Sequence, residues 1–174
     1  MSGNLIIYFS RSGENYSDGH IVTLEKGYTE AAAEYIKDSV GADLFRIETV
    51  KDYPADYMDC TREAKAEQQS GARPELRNYL ESLDGYENVF ICGPCWWGTY
   101  PMAVFSQVER LDWKGRKVMA LMTHEGSGLA GGLKDLKKLC RGASFGKGLA
   151  MAGHDVPSGG PVIAAWAKKQ TGIR

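Results

Sequence analysis

At 174 residues, 43% hydrophobic and 25% charged, the chain has the composition of an ordinary globular protein. It is expected to form one domain over residues 1–174 and to bury roughly 70% of its unfolded surface. A formal net charge of -1 excludes a strong electrostatic case for nucleic acid or an anionic membrane. No stretch approaches the ~20 apolar residues of a membrane span, and four cysteines without secretory context point to reduced thiols in a cytoplasm.

Residues 5–9 form a continuously apolar strand candidate, too short and too poor in basic lead for a signal peptide. It runs into Ser10-Arg11-Ser12-Gly13, the kind of loop that serves an anion where a helix follows. Here the helix is delayed. Asp18-Gly19 is a turn signal, and residues 21–24 look extended and β-branched, so an inserted hairpin or flap is expected at about 13–26. The helix begins near Gly27-Tyr28-Thr29-Glu30, with Ala32, Tyr35, Ile36 and Val40 on one face and Gly41 as its stop. A phosphate loop built this way is split, with Ser10, Arg11 and Ser12 in one half and Gly27, Tyr28 and Thr29 in the other.

Residues 44–48 alternate apolar with polar, as an edge strand does. Tyr53-Pro54 makes a turn, and residues 56–69 read as a charged, mostly solvated helix closed by Gly71 and Pro74. Residues 89–92 are a second fully apolar strand. It enters Gly93-Pro94-Cys95-Trp96-Trp97-Gly98-Thr99-Tyr100, with a helix opening at Pro101 and facing Ala103, Val104, Val108 and Leu111 inward. Two adjacent tryptophans in a loop either anchor it to the core or wall a flat aromatic site. Residues 117–122 are a third apolar strand, ending at Thr123-His124-Glu125-Gly126-Ser127-Gly128. A helix with Leu129, Leu133, Leu136 and Cys140 on one stripe follows. Residues 148–152 are a fifth strand candidate, and 161–169 a closing helix with Trp166 in the core.

Strand and helix thus alternate five times, which implies a parallel sheet with right-handed crossovers. The edge character of the second strand gives the order 2-1-3-4-5. Ligands of such sheets sit beyond the carboxyl ends of the strands, where the three polar loops would meet. His20 and His154 lack partners at metal spacing, so no metal site is expected.

At these residues the chain resembles the flavodoxin-like family over nearly its whole length. The resemblance rests on Ser10-Arg11 with Gly27-Tyr28-Thr29, on Pro94-Cys95-Trp96-Trp97-Gly98-Thr99-Tyr100-Pro101, and on Thr123-His124-Glu125-Gly126-Ser127-Gly128. It implies an α/β three-layer sandwich and non-covalent FMN, phosphate on the first loop and ring between the other two. Carried over, Ser10 and Thr29 bind the phosphate, Trp97 packs on the ring and Trp96 is its structural partner. Tyr28 stands where the family usually has Asn, and Cys95 replaces another polar residue.

Cys92-Gly93-Pro94-Cys95 is also the thioredoxin-type redox tetrapeptide, the basis of a rival disulfide oxidoreductase. That chemistry needs a helix starting at the first Cys, and here a loop intervenes. His124 and Glu125 are candidates for acid or hydride-relay work beside a flavin, or are plain loop residues. Arg11 is a candidate for neutralising the phosphate or pairing with the flap. Two functions follow: an NAD(P)H-dependent reductase of quinones or similar small acceptors, or a one-electron carrier between redox protein partners. The lack of a strong acidic field and the presence of a flap favour the reductase.

Overall fold

Each apolar run of the sequence becomes a strand covered on both faces. The computed structural model describes residues 3–174. Strand β1 (Gly3–Tyr8) sends Leu5 and Ile7 to one side of the sheet and Ile6 and Tyr8 to the other. Strands β5 (Tyr86–Pro94) and β6 (Lys117–His124) divide in the same way, Val89 and Ile91 from Phe90 and Cys92, and Val118 and Ala120 from Met119 and Leu121. A side-chain period of two, filled with apolar residues at every position, needs two cores.

One core lies under α1 (Tyr28–Val40) and α5 (Gly160–Thr171), through Ala32, Ala33, Ile36, Ile163 and Trp166. The other lies under α3 (Met102–Val108) and α4 (Gly132–Leu139), through Ala103, Val104, Val108 and Leu136. Helix α2 (Tyr57–Ser70) buries only Cys60 and Ala64; Asp56 caps it, its side chain accepting the Asp59 N–H at 2.8 Å.

The sheet order is β4 (Asp43–Arg46), β1, β5, β6, with every neighbouring pair parallel. The far position beyond β6 is filled by two short pieces, β7 (Ser144–Phe145) and β8 (Leu149–Ala152). Counted as one, they complete the order 2-1-3-4-5 of a flavodoxin-like α/β fold. The edge strand expected at residues 44–48 is β4 over Asp43–Arg46, at the end of the sheet, with Ile47 and Glu48 beyond it. A separate antiparallel hairpin, β2 (Gly13–Ser17) and β3 (His20–Leu24), turns at Asp18-Gly19, with φ 49° and 85°. Both central residues are left-handed, the geometry that suits a two-residue hairpin turn.

Two elements differ from the sequence expectation. The helix after β6 starts at Gly132, not at Leu129, because Gly131 is drawn down to donate its N–H to the Gly98 carbonyl at 2.8 Å. A 3-10 turn over Gly153–Ser158, for which no element is expected from the sequence, lies between β8 and α5. Among the described residues no helix is long and apolar enough to cross a membrane.

Candidate functional site

The carboxyl ends of β1, β5 and β6 carry the three polar loops, and the hairpin leans across them. Behind β1, Ser10 Oγ accepts the Glu30 N–H at 3.0 Å, joining the loop to the first turn of α1. Gly27 permits this approach, because a Cβ there would lie 2.2 Å from Ser10 Oγ and 2.5 Å from the Arg11 carbonyl oxygen. The split halves of the loop therefore touch. No side chain of α1 caps its own N-terminus, and the N–H groups of Tyr28 and Thr29 have no protein acceptor among the described residues. That open, positive helix end is where an anion is stabilised.

Arg11 does not reach this point. Its guanidinium donates to the carbonyls of Glu14, Pro54 and Ala55 at 2.8, 2.9 and 3.0 Å, tying the hairpin base to the lead-in of α2. Thr29 is also otherwise engaged. Its hydroxyl is buried and bonded to the Thr123 hydroxyl at 2.8 Å, which links α1 to β6. Thr29→Val should leave the Thr123 hydroxyl unpaired and cost about 1–3 kcal/mol, most of it recovered in the Thr29→Val/Thr123→Val double variant. Denaturant midpoints of the three variants check this. Equal loss in the double variant would show that the pair does not act as a unit.

The second loop is a tight turn in which the Trp96 N–H donates to the Thr99 carbonyl at 2.8 Å. Trp97 has φ 54° and Gly98 84°, so a tryptophan occupies a left-handed position it rarely adopts. Its indole N–H donates to the Thr61 carbonyl at 2.9 Å, Gln68 donates to its carbonyl at 2.8 Å, and Lys65 Nζ lies 4.9 Å from its ring centroid. Trp97 thus rests on α2 and is 48% exposed. Trp96 packs edge-on against Phe9 and Tyr53, at 5.1 and 5.0 Å between centroids. The Thr99 hydroxyl is buried and donates to Asp135 at 2.6 Å, a strut between this loop and the first turn of α4.

In the third loop, His124 Nδ1 accepts the Gly126 N–H at 2.8 Å, which leaves Nε2 as the outward nitrogen. Glu125 Oε2 accepts the Asp18 N–H at 2.9 Å and lies 3.7 Å from His154 Nδ1. This carboxylate holds the tip of the hairpin over the strand ends. The Ser17 and Tyr28 hydroxyls bond at 2.8 Å, and Tyr16 stacks on Tyr57 at 6.1 Å, so the hairpin is anchored at three points. Gly153 lets Tyr28 and Glu125 pass, since a Cβ there would sit 2.5 Å from the Tyr28 ring.

The candidate residues fall around adjoining clefts that share Trp96. Tyr28, Pro94, Cys95, Trp96, Thr123, His124, Glu125 and Ser127 line one of about 260 Å³. Ser10, Arg11 and Ser12 line a polar one of about 290 Å³ with Arg46 and Arg77, cations already paired with Glu30 at 3.1 Å and Asp52 at 3.0 Å. Gly98, Gly126 and Gly128 shape the turns through positive φ and line neither. Sequence reasoning missed Asn15, Tyr16, Tyr57 and Gly153, which complete the first cleft. Asn15 and Tyr16 lie in the hairpin expected at about 13–26, and Tyr57 follows the Asp56 cap of α2. Cys92 is fully buried inside β5, where burial alone pushes its thiol far above the usual range, and no helix starts at it. A thiolate redox pair with Cys95 has no basis in this geometry.

The flavodoxin family model matches the chain over residues 21–169. No curated protein matches its sequence. Among solved structures the chain is similar to a protein described as a flavoprotein from Bacteroides uniformis ATCC 8492, at 25% identity and TM-score 0.73, covering 96% of this chain and 98% of that one. It also shares its fold with a flavoprotein from Lactobacillus acidophilus NCFM solved in complex with FMN, at 16% identity and TM-score 0.62, covering 91% and 98% of the two chains. A Fusobacterium nucleatum flavodoxin bound to flavin mononucleotide gives 14% identity and TM-score 0.58 over 99% and 98%.

Proposed function

The chain belongs to the flavodoxin family, and on that premise we propose that it binds FMN non-covalently and reduces quinones or similar small acceptors with NAD(P)H. When bound, FMN supplies the ability to take up a hydride from a nicotinamide and pass two electrons onward. The Ser10 hydroxyl and the free N–H groups of Tyr28 and Thr29 would hold its phosphate at the positive end of α1. The backbone of Pro94 to Trp96 and of Thr123 to Ser127 would border its ring, in the cleft those residues line. Arg11, committed to three carbonyls, is left out of this set.

The observation that carries the reductase over a carrier is the anchored hairpin. A one-electron carrier gains from an open ring edge that a protein partner can meet. Here Glu125, Tyr28 and Tyr57 fasten a β-ribbon across the strand ends, which suits small molecules entering under cover. Two electrons and one proton leave the nicotinamide as hydride, and solvent supplies the second proton of the hydroquinone. The four free cysteines suit a reducing cytoplasm, where such donors are abundant.

The purified protein should be yellow, release one FMN per chain on denaturation, and turn over a naphthoquinone with NADH or NADPH at above about 1 s⁻¹. FAD or no flavin sinks the cofactor assignment. FMN without nicotinamide-driven turnover, joined to fast electron exchange with a redox protein, gives the carrier instead.

A further inference from the structure

Exposed apolar side chains gather at one place. Tyr16, Ile21, Met58 and Trp97 are each 42–52% exposed, and all four line a cleft of about 450 Å³ between the hairpin and α2. Clefts of this size take small molecules, and large apolar groups gathered at one mark a binding site more strongly than scattered ones. Tyr16, Tyr57, Cys95 and Trp96 also line the proposed cofactor cleft, so the two spaces adjoin.

Arg11 is the one charged residue that lines the cleft; its guanidinium donates to three backbone carbonyls and has no carboxylate partner among the described residues, and Asn15 donates to the carbonyls of Arg11 and Gly13 at 2.9 and 3.3 Å. The Thr61 hydroxyl donates to Met58, and the Trp97 indole to the Thr61 carbonyl. A cationic ligand would lose its hydration here and meet only the like charge of Arg11. The Tyr16 and Tyr57 phenols have no protein partner among the described residues, which leaves neutral donors fit for a carbonyl oxygen. Burial raises the Tyr57 hydroxyl above its ordinary range, so it keeps its proton.

We propose that this aromatic cleft is the acceptor site, that it takes a neutral, planar aromatic carbonyl compound of quinone size, and that it rejects cationic ones. The inference rests on the FMN reading, because adjacency to the cofactor cleft is what makes an occupant an acceptor. Met58→Glu tests it, since Met58 is exposed on α2 and lines this cleft but not the cofactor's.

Dissociation constants are measured on the FMN-loaded protein by tryptophan quenching, with 2-methyl-1,4-naphthoquinone and a naphthoquinone that carries a trimethylammonium group. The neutral probe should bind at least about tenfold more tightly than the cationic one. Met58→Glu and, on the hairpin, Ile21→Glu should each weaken the neutral probe at least about tenfold, with FMN affinity within about twofold of the parent. Equal binding of the two probes, or no effect of either substitution, overturns the proposal. A matching loss of FMN affinity in Met58→Glu also overturns it, because the flavin ring would then occupy this cleft. A chain that holds no FMN sinks the function proposed above, while binding of the two probes to that same chain still decides the cleft's selectivity.

Discussion

Replacing Tyr100 by alanine should cost about 3–5 kcal/mol, the range for deleting a fully buried aromatic side chain. Tyr100 has no exposed surface, and its ring fills the space between β5 and α4. Two glycines are shaped to it: a Cβ on Gly93 would lie 2.7 Å from the ring and one on Gly132 would lie 3.1 Å away. Its hydroxyl lies 3.1 Å from the Ile91 carbonyl and 3.0 Å from the Leu121 carbonyl, so one proton serves both central strands. Burial holds that phenol well above its usual pKa, which keeps the donor intact throughout the stable pH range. A domain of this kind has about 5–15 kcal/mol in hand, so the variant should be marginal or unfolded at 37 °C. Tyr100→Phe keeps the ring and should lose only about 1–3 kcal/mol. Urea unfolding of both variants checks the pair; equal losses would mean that the ring contributes little and the hydroxyl nearly everything.

Gly27→Ala should have the next largest effect. The residue sits at φ -63°, open to alanine, so the obstacle is steric and not conformational. The new methyl would meet the Arg11 carbonyl oxygen at 2.5 Å and carbon at 2.9 Å, backbone atoms that cannot rotate away as Ser10 Oγ can. Either α1 or the loop behind β1 must move, at about 1–3 kcal/mol for an overpacked contact. The displacement separates Ser10 from the Tyr28 and Thr29 N–H groups. FMN should then bind at least about tenfold more weakly, while riboflavin, which has no phosphate, changes little. Fluorescence titration with both flavins reads this. Parallel weakening of the two would place the phosphate elsewhere, and an unchanged FMN constant would remove the junction from the site altogether.

Those residues also show what a sequence discloses. The central strands were legible because residues 5–9, 89–92 and 118–122 are apolar at every position, which only a sheet covered on both faces tolerates. The alternation after Ala42 identified the edge, and from there the strand order followed. The loops that carry the site were legible as Gly- and Ser-rich strand ends, but the duties of their side chains were not. Thr29 and Thr123 are 94 positions apart, and Asp18 and Glu125 are 107 apart; no local pattern reports such pairs. For Trp97 the family resemblance implied packing on the ring, and its left-handed backbone and its hold on the Thr61 carbonyl, 36 positions away, could not be read from the sequence. The buried state of Cys92, by contrast, was predictable, because a thiol inside a continuous apolar strand has nowhere else to go.

The broken fifth strand has a further consequence, for how the protein avoids its own kind. Between β7 and β8 the chain leaves the ladder at residues 147–148, after the Gly146 N–H has met the Val118 carbonyl, and the outer rim of β6 would there be open to a foreign strand. Helix α5 closes the gap with side chains. Gln170 Oε1 accepts the Lys147 N–H at 2.9 Å, and the Trp166 indole donates to the Lys147 carbonyl at 2.7 Å, so the two groups a neighbouring molecule would recruit are already engaged. Gly146 makes room, since a Cβ there would fall 2.6 Å from Gln170 Oε1. Loss of the last turn of α5 would therefore free a short template for intermolecular β-pairing, and the first symptom of damage at this end would be self-association instead of lost chemistry.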